Sequence, residues 1–202
     1  MKILEAEKVF GEAPIFKEPQ IIGNWVLWLE QRPHENGRTT ALIRPWRQKK
    51  LVPQELTPFP IDLRTKFHGY GGAPLTVTQN GSDLLLTWID NSNNCLWMRT
   101  WSSDDQNKKL SKFKLIPKTP LVCLSKKGNY CLAGGVIDLK KNVWIGLMEK
   151  KERDYIVSFS LKKTNQNPKF LYSSKGFLGY LSLNSKESKF AWIEWDKTLM
   201  PW

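Results

Sequence analysis

Only two histidines, His34 and His68, occur among the 202 residues. Histidine is the commonest metal ligand and proton carrier, so multi-histidine metal sites and proton relays are nearly excluded. No two of the 13 glycines stand four residues apart, which excludes a Gly-x-Ser-x-Gly nucleophile elbow. A phosphate-binding glycine-rich loop ending in Lys-Ser or Lys-Thr is also absent. We therefore expect no catalytic residue, metal ion or cofactor in this chain.

Cysteine is scarce as well, and Cys95, Cys123 and Cys131 lack the paired spacing of metal sites. Cys123 and Cys131 flank the turn at Ser125–Gly128, which would let them face each other across a hairpin. We favour buried reduced thiols over a disulfide or a site, because free cysteine behaves as a small apolar residue.

Long apolar runs are missing too. The segment Met1–Lys8 has no apolar signal core, and no run approaches the roughly 20 residues of a membrane-spanning helix. We expect a cytoplasmic protein that does not associate with membranes.

Charge of one sign dominates, with 31 Lys and Arg against 19 Asp and Glu, a net charge of +12. Six Lys-Lys pairs stand where hairpin tips are expected: Lys49-Lys50, Lys108-Lys109, Lys126-Lys127, Lys140-Lys141, Lys150-Lys151 and Lys162-Lys163. Nucleic-acid binding by counterion release is one interpretation. No helix concentrates this charge and no nucleic-acid motif accompanies it, so we favour a solvated surface and expect no nucleic-acid partner. The acidic pairs Asp104-Asp105 and Glu149/Glu152 are expected to be exposed.

Tryptophan, by contrast, is abundant, with ten residues, and we expect most of them in the core. The same strand ending occurs at Trp28-Leu29-Glu30, Trp88-Ile89-Asp90 and Trp192-Ile193-Glu194. The copies are 60 and 104 residues apart, and a degenerate copy at Asn129–Val136 falls in the longer gap. A period of about 45–60 residues with several strands per repeat is typical of β-propeller blades.

Period-2 patterning predicts an all-β fold: a partial β-propeller of three to four blades, each a four-stranded antiparallel sheet. We treat the chain as a single incomplete domain with a lead-in at residues 1–19. The expected blades are residues 20–60, 61–117, 118–175 and an incomplete 176–202. In the third blade we expect Leu121–Leu124 to form a hairpin with Tyr130–Val136. The lead-in has an alternative role, as the outer strand that closes the ring with the last blade.

The sequence ends in the middle of the fourth predicted blade, at Leu199-Met200-Pro201-Trp202. A blade needs neighbours on both faces, and a propeller closes with about four to eight blades. We expect a fragment or the product of a truncated gene, with pairing to another copy as the alternative.

The most unusual local stretch is Arg64-Thr65-Lys66-Phe67-His68-Gly69-Tyr70-Gly71-Gly72. Three glycines among four residues let the backbone bend or approach a neighbour closely. Arg64, His68, Tyr70, Gly71 and Gly72 are therefore our candidate site residues. Two interpretations stay open: polar side chains that face a channel, or a structural motif whose His and Tyr bind backbone partners.

This stretch resembles the Arg-x-x-x-His-Glu-Tyr-Gly-Gly motif in the first propeller blade of prolyl oligopeptidase-family serine peptidases. The resemblance is greatest to the bacterial dipeptidyl-aminopeptidase/acylaminoacyl-peptidase-like branch. It extends in matching order over residues 20–202, with Gly69 in place of the motif's Glu and a weaker match at 117–176. The other matching segments are Trp28-Leu29-Glu30-x-Arg32-Pro33, Gly37-Arg38-Thr39, Glu55-Leu56-Thr57-Pro58, Leu181-Ser182-Leu183 and Phe190–Asp196 with Met200-Pro201-Trp202.

The resemblance implies a non-catalytic propeller fragment, because members of the family carry their Ser-Asp-His triad in a C-terminal α/β-hydrolase domain. The family hydrolyses oligopeptides, and its propeller filters substrates by admitting peptides and excluding folded proteins. We expect this chain to be inactive alone, with a missing hydrolase domain or another copy of itself as partner and peptides bound only by the complete enzyme. The alternative is a self-assembling or partner-binding propeller scaffold without a peptidase role.

Overall fold

The computed structural model describes residues 13–48, 50–103 and 114–198. These residues divide into two compact units. The first comprises residues 13–63 with 114–115, and the second comprises 64–103 with 116–198. Each unit is built from antiparallel β-sheet, so the expected all-β class is confirmed.

The first unit contains one four-stranded antiparallel sheet in chain order. Its strands are β1 (Ile15–Ile22), β2 (Trp25–Arg32), β3 (Arg38–Pro45) and β4 (Gln54–Glu55). The hairpin between β2 and β3 turns at Asn36 and Gly37, whose positive φ angles of 57° and 72° suit these two residue types. In β2 the alternate side chains Trp25, Leu27 and Leu29 are buried, as the sequence alternation predicts.

The expected lead-in at residues 1–19 needs correction where the structure describes it. Ile15–Ile22 is the first strand of this sheet and pairs with β2 from Gln31 to Trp25. The pairing shifts between Lys17 and Gln20, around Glu18 at a φ of 50°. This bulge and Pro19 interrupt the alternation that identifies a strand from sequence.

The second unit contains three sheets. One sheet has the order β5-β6-β7-β8, with β9 also paired to β7; the others are β10-β11-β12-β13 and β14-β15. The strands are β5 (Leu75–Asn80), β6 (Asp83–Asp90), β7 (Cys95–Ser103), β8 (Leu115–Pro117), β9 (Val122–Cys123), β10 (Cys131–Asp138), β11 (Val143–Lys150), β12 (Arg153–Ser160), β13 (Lys169–Ser173), β14 (Phe177–Leu183) and β15 (Phe190–Trp195).

The hairpin expected between Leu121–Leu124 and Tyr130–Val136 does not form. Val122 and Cys123 pair with Met98 and Trp97 of β7 instead, and the next sheet begins at β10. The Leu124 N–H donates to the Leu96 carbonyl over 2.8 Å, and the Ser125 hydroxyl accepts from Leu96 N–H over 2.9 Å. Cys123 and Cys131 therefore do not face each other across a hairpin.

Because β9 pairs with β7, the repeat unit between the second and the last copy of the strand ending begins at β10. The second strands of the four sheets are β2, β6, β11 and β15, and the three matching strand endings lie on β2, β6 and β15, so the corresponding strand of the third sheet is β11. The copy expected at Asn129–Val136 lies on and before β10, the first strand of its sheet.

The core of the second unit has two clusters of buried apolar side chains. One contains Trp144, Phe159, Leu96, Leu124 and Met148, and the other surrounds Phe67, Ile156 and Leu178. Each such side chain contributes about 1.5–3 kcal/mol when removed from water. Over both units, four of the described tryptophans are buried, Trp25, Trp88, Trp101 and Trp144, while Trp46 and Trp192 are exposed.

Within residues 13–48, 50–103 and 114–198, no helix has the length and apolar character needed to cross a membrane.

Candidate functional site

The Arg64–Gly72 motif lies in the second unit, immediately before β5. Its centre, Phe67–Gly69, is a short 3-10 turn rather than a strand. His68 adopts the left-handed region at φ 51° and ψ 20°, and Gly69 and Gly71 follow at φ 73° and 92°. A non-glycine residue in this region costs about 1–3 kcal/mol, so the surrounding contacts must hold His68 in place.

Four contacts hold His68. Its backbone N–H donates to Glu149 Oε2 over 2.7 Å, and its Nε2 lies 2.9 Å from both carboxylate oxygens of Asp154. The imidazole packs on the Phe67 ring with centroids 3.9 Å apart and meets the edge of Phe177 at 4.7 Å. Because a carboxylate only accepts hydrogen bonds, Nε2 carries the proton in this pair.

Asp154 joins the motif to two further strands. Its side chain is buried at the start of β12, and Oδ2 accepts the Leu178 N–H of β14 over 2.8 Å. A buried carboxylate needs such partners, because the penalty for removing it from water is otherwise several kcal/mol. His68, Asp154 and Leu178 thus form a clasp among the motif, β12 and β14, which we call the His68 clasp.

The glycines of the motif permit close backbone packing against β10. A Cβ on Gly72 would lie 2.8 Å from the Ala133 Cβ, and one on Gly71 would lie 3.2 Å from the Thr65 carbonyl oxygen. The Thr65 hydroxyl donates to the Leu132 carbonyl over 2.5 Å, and Gly134 N–H donates to the Ala73 carbonyl over 2.9 Å. The motif therefore follows β10 closely on its way into β5.

The remaining candidate residues lie at different depths. Arg64 is half-buried, whereas Tyr70 is 88% exposed. Gly69, which replaces the glutamate of the resembling motif, has open space around the position of a Cβ. A side chain there would start in open space but would have to adopt a φ that residues with a Cβ disfavour.

A cavity of about 400 Å³ adjoins the motif within the second unit. Its walls are mainly apolar and glycine-rich: Phe67, His68, Gly71, Gly72, Ala73, Leu75, Ala133, Gly134, Gly135, Leu147, Leu178, Gly179, Tyr180, Leu181 and Trp195. His68 is bonded to the Asp154 carboxylate, but among the described residues that line the cavity there is no serine or cysteine to act as a nucleophile. The cavity offers apolar contact and backbone polarity, and it does not assemble a Ser-His-Asp triad.

The first unit brings other segments of the resemblance together in an ion-pair network. Arg38 is 5% exposed; its Nη2 lies 2.7 Å from Glu55 Oε1, and its Nη1 donates to the carbonyls of Thr57 and Ile61. Arg32 pairs with Glu30 over 2.8 Å and with Glu35 over 2.9 Å.

Two further contacts complete the network. Arg38 Nε also donates to Glu35, and Arg32 Nη1 lies 3.3 Å from Glu55. The end of β2, the β2–β3 turn, the start of β3 and strand β4 therefore meet around two guanidinium groups.

This network favours the ionised forms of Glu35 and Glu55. Hydrogen bonding from Arg38 lowers the pKa of Glu35 to about 2, with Arg32 adding to the effect. Burial alone would raise the pKa of Glu55, but hydrogen bonds from Arg38 and Thr40 and the two arginine charges together lower it.

Sequence reasoning missed the partners of the motif. Glu149 was expected to be exposed, but it is half-buried and accepts from His68, while Glu152 is exposed as expected. Asp104 and Asp105 lie outside the described residues. Asp154 had no local signal beyond its place at a strand start, because His68 is 86 residues away along the chain.

The fold is that of a partial β-propeller, as solved structures show. A puromycin-hydrolysing peptidase from Mycobacterium tuberculosis matches 100% of this chain with a TM-score of 0.77 and 21% identity. Puromycin hydrolase matches 100% of it with a TM-score of 0.72 and 19% identity, and a mutant puromycin hydrolase complexed with PGG has values of 0.73 and 19%. The expected fold class is confirmed by these matches.

The chain spans only 30–31% of the length of the proteins in those three structures. No protein-family model matches it. No curated protein matches it significantly in sequence.

Proposed function

We propose that this chain is the non-catalytic propeller portion of a prolyl oligopeptidase-like serine peptidase. The observation that carries the proposal is the match of the whole chain to less than a third of two puromycin-hydrolysing enzymes. The ordered motifs of the resemblance support it, because those around Arg32, Arg38 and Glu55 converge in one network and those around His68 build one clasp.

The proposed role is that of a substrate filter. A narrow opening admits an extended peptide and sterically excludes a folded domain, and the peptide bond is then cut by acyl-enzyme chemistry in a separate α/β-hydrolase domain. The chain itself has no Gly-x-Ser-x-Gly elbow, so we assign it no catalytic residue. Peptides as ligands of the complete enzyme and a cytoplasmic location stay predictions.

A serine-directed fluorophosphonate probe tests this proposal. Antibodies raised against the chain are used to immunoprecipitate the native protein from its source cells, and the precipitate is treated with the probe. We expect a probe-labelled polypeptide in the precipitate, either a longer form of this chain or a bound hydrolase. We expect no label on the purified 202-residue chain. Precipitates without any labelled polypeptide, or label on the purified chain, would contradict the proposal.

A second candidate function is a self-assembling or partner-binding scaffold without a peptidase role. Exposed apolar side chains on β14 and β15 favour it, because Tyr180, Ile193 and Trp192 are 78%, 53% and 36% exposed. Multi-angle light scattering of the purified chain distinguishes the two functions. A discrete oligomer whose mass does not change with concentration would favour the scaffold, and a monomer would count against self-assembly.

A further inference from the structure

The pairing of β7 with β9 places two cysteines on one face of a sheet. Cys123 lies directly opposite Trp97 in the antiparallel register, so their side chains point to the same face. Cys95 stands two residues before Trp97 on β7 and shares that face, because side chains alternate along a strand. Cys95 and Cys123 are therefore diagonal neighbours across the two strands.

Their thiols lie close enough to influence each other electrostatically. Cys95 acts on the thiol of Cys123, and both cysteines act on the hydroxyl of Tyr130. Each thiol also has a backbone partner, because Cys123 Sγ donates to the Ser125 carbonyl over 3.2 Å and Cys95 Sγ to the Asn93 carbonyl over 3.6 Å. Cys95 is 4% exposed and Cys123 is half-buried, so solvent reaches the pair from the side of Cys123.

We propose that Cys95 and Cys123 are a redox-modification site that closes to a disulfide under peroxide. The bond would link β9 covalently to β7 and fix the start of the segment that leads into the next sheet. This inference does not depend on the proposed peptidase role.

The geometry requires only a small movement of β9. Diagonal neighbours in an antiparallel pair have Cα atoms about 7–8 Å apart, whereas disulfides span about 4.4–6.8 Å. β9 is a strand of two residues whose partner strand is β7, and the Cys123 carbonyl also accepts the Asn165 N–H over 3.0 Å. The missing distance therefore has to be closed by a local shift of this short strand together with that neighbour.

The reaction balances with hydrogen peroxide as the oxidant. The Cys123 thiolate attacks one peroxide oxygen, the O–O bond breaks, and the sulfur becomes sulfenic acid as hydroxide leaves. The Cys95 sulfur then attacks the Cys123 sulfur, the S–O bond breaks, and water leaves with the remaining proton. Two thiols and one peroxide thus give one disulfide and two water molecules.

Cys131 provides a matched comparison within the chain. It lies at the start of β10, opposite Glu149, and the charged groups that act on its thiol are Glu149 and Lys66 rather than another cysteine. The unfolded chain, in contrast, gives all three cysteines access to one another.

The experiment treats the folded chain with hydrogen peroxide and maps the linked peptides by mass spectrometry without reduction. Burial and the neighbouring Cys95 raise the pKa of the Cys123 thiol to about 11, so the reaction is run at about pH 9 to increase its thiolate fraction. The wild type is compared with Cys95→Ser, Cys123→Ser and Cys131→Ser, each checked for folding by circular dichroism, and with the wild type in urea.

We expect a Cys95–Cys123 link in the wild type and in Cys131→Ser, with the thiol count falling from three to one in the wild type. Cys95→Ser is expected to stop at oxidised Cys123 without an intramolecular link, and urea is expected to give a mixture of all three pairings. Preferential links to Cys131, the same mixture in the folded and urea-treated chain, or thiol loss without a link would overturn the inference.

Discussion

At the scale of single residues, Glu35 shows how the arginine network of the first unit sets acid sensitivity. The pKa of this carboxyl is about 2 in the folded chain, below its ordinary value of 4.5, mainly because Arg38 hydrogen-bonds the ionised form. Because the pKa of Glu35 is lower in the folded chain than in the unfolded chain, its ionised carboxylate stabilises the folded state above pH 4.5. This stabilisation is lost as the pH falls toward 2.

We therefore predict that Glu35→Gln destabilises the protein by about 1 kcal/mol at pH 7, a modest value because solvent screens this partly exposed pair. The difference from the wild type should shrink steadily between about pH 4.5 and pH 2. Urea unfolding followed by circular dichroism at a series of pH values measures it. A difference that stayed constant over this range would show that the charge of Glu35 does not matter.

The His68 clasp gives a second prediction at this scale. Asp154→Ala removes the carboxylate that accepts hydrogen bonds from the His68 imidazole and from the Leu178 N–H. Both donors then lose this partner in a site that is largely shielded from solvent. We expect a loss of about 2–3 kcal/mol in unfolding free energy, because hydrogen bonds to a charged group contribute about 1.5–3 kcal/mol each.

Glu152→Ala is the matched control for that variant, since it removes an exposed carboxylate two residues away. It should change stability by less than about 0.5 kcal/mol. Equal effects of the two substitutions in urea unfolding would contradict the structural role that we assign to Asp154.

The candidate site could be predicted only in part from the sequence. The glycine spacing identified the stretch around His68, because three glycines among four residues indicate a backbone that bends or approaches a neighbour closely. The identity of its partners depends on long-range packing, and neither Glu149 nor Asp154 carries a local pattern that points to a histidine more than 80 residues away.

At the scale of elements, the third sheet contains a tryptophan that packs across a pair of glycines. Gly135 of β10 and Gly146 of β11 are opposite each other, and the Trp144 ring covers both. A Cβ on Gly146 would lie 1.9 Å from that ring, and one on Gly135 would lie 2.1 Å from it. Trp144 is 1% exposed, so it has no open space into which to move.

We predict that Gly146→Ala destabilises the protein by about 1–3 kcal/mol, the usual cost of overpacking a core. Lys169→Ala on the exposed strand β13 serves as the control and should be nearly neutral. Thermal unfolding by differential scanning calorimetry provides the comparison. A Gly146→Ala protein as stable as the control would mean that Trp144 finds another position.

The sequence predicted most strands because their alternation is local, but it misassigned β9. The turn-like residues Ser125–Gly128 suggested a hairpin with β10. In the folded chain Ser125 instead accepts the Leu96 N–H, so its side chain completes the pairing of β7. Tertiary pairing of this kind overrides turn propensity, and a single sequence does not reveal it.

At the scale of the whole molecule, the net charge of +12 leads to a prediction about nucleic acids. The charge is spread over many separate loops, and specific binding requires clustered cations with base contacts. We expect no binding to DNA or RNA oligonucleotides tighter than about 10⁻⁶ M at physiological salt, the upper end of non-specific affinity.

Fluorescence anisotropy with labelled single-stranded and double-stranded oligonucleotides measures this affinity at two salt concentrations. A dissociation constant in the nanomolar range, with a strong preference for one sequence, would contradict the interpretation of a solvated lysine surface.

The uneven burial of the tryptophans gives the molecule an intrinsic optical reporter. Trp88 and Trp144 are each 1% exposed in the second unit, whereas Trp46 of the first unit is 48% exposed. Acrylamide in solution should therefore quench the emission of Trp46 at concentrations that leave Trp88 and Trp144 bright. Exposed and buried tryptophans, Trp192 and Trp25 included, can then be followed separately in one cuvette without attaching a dye.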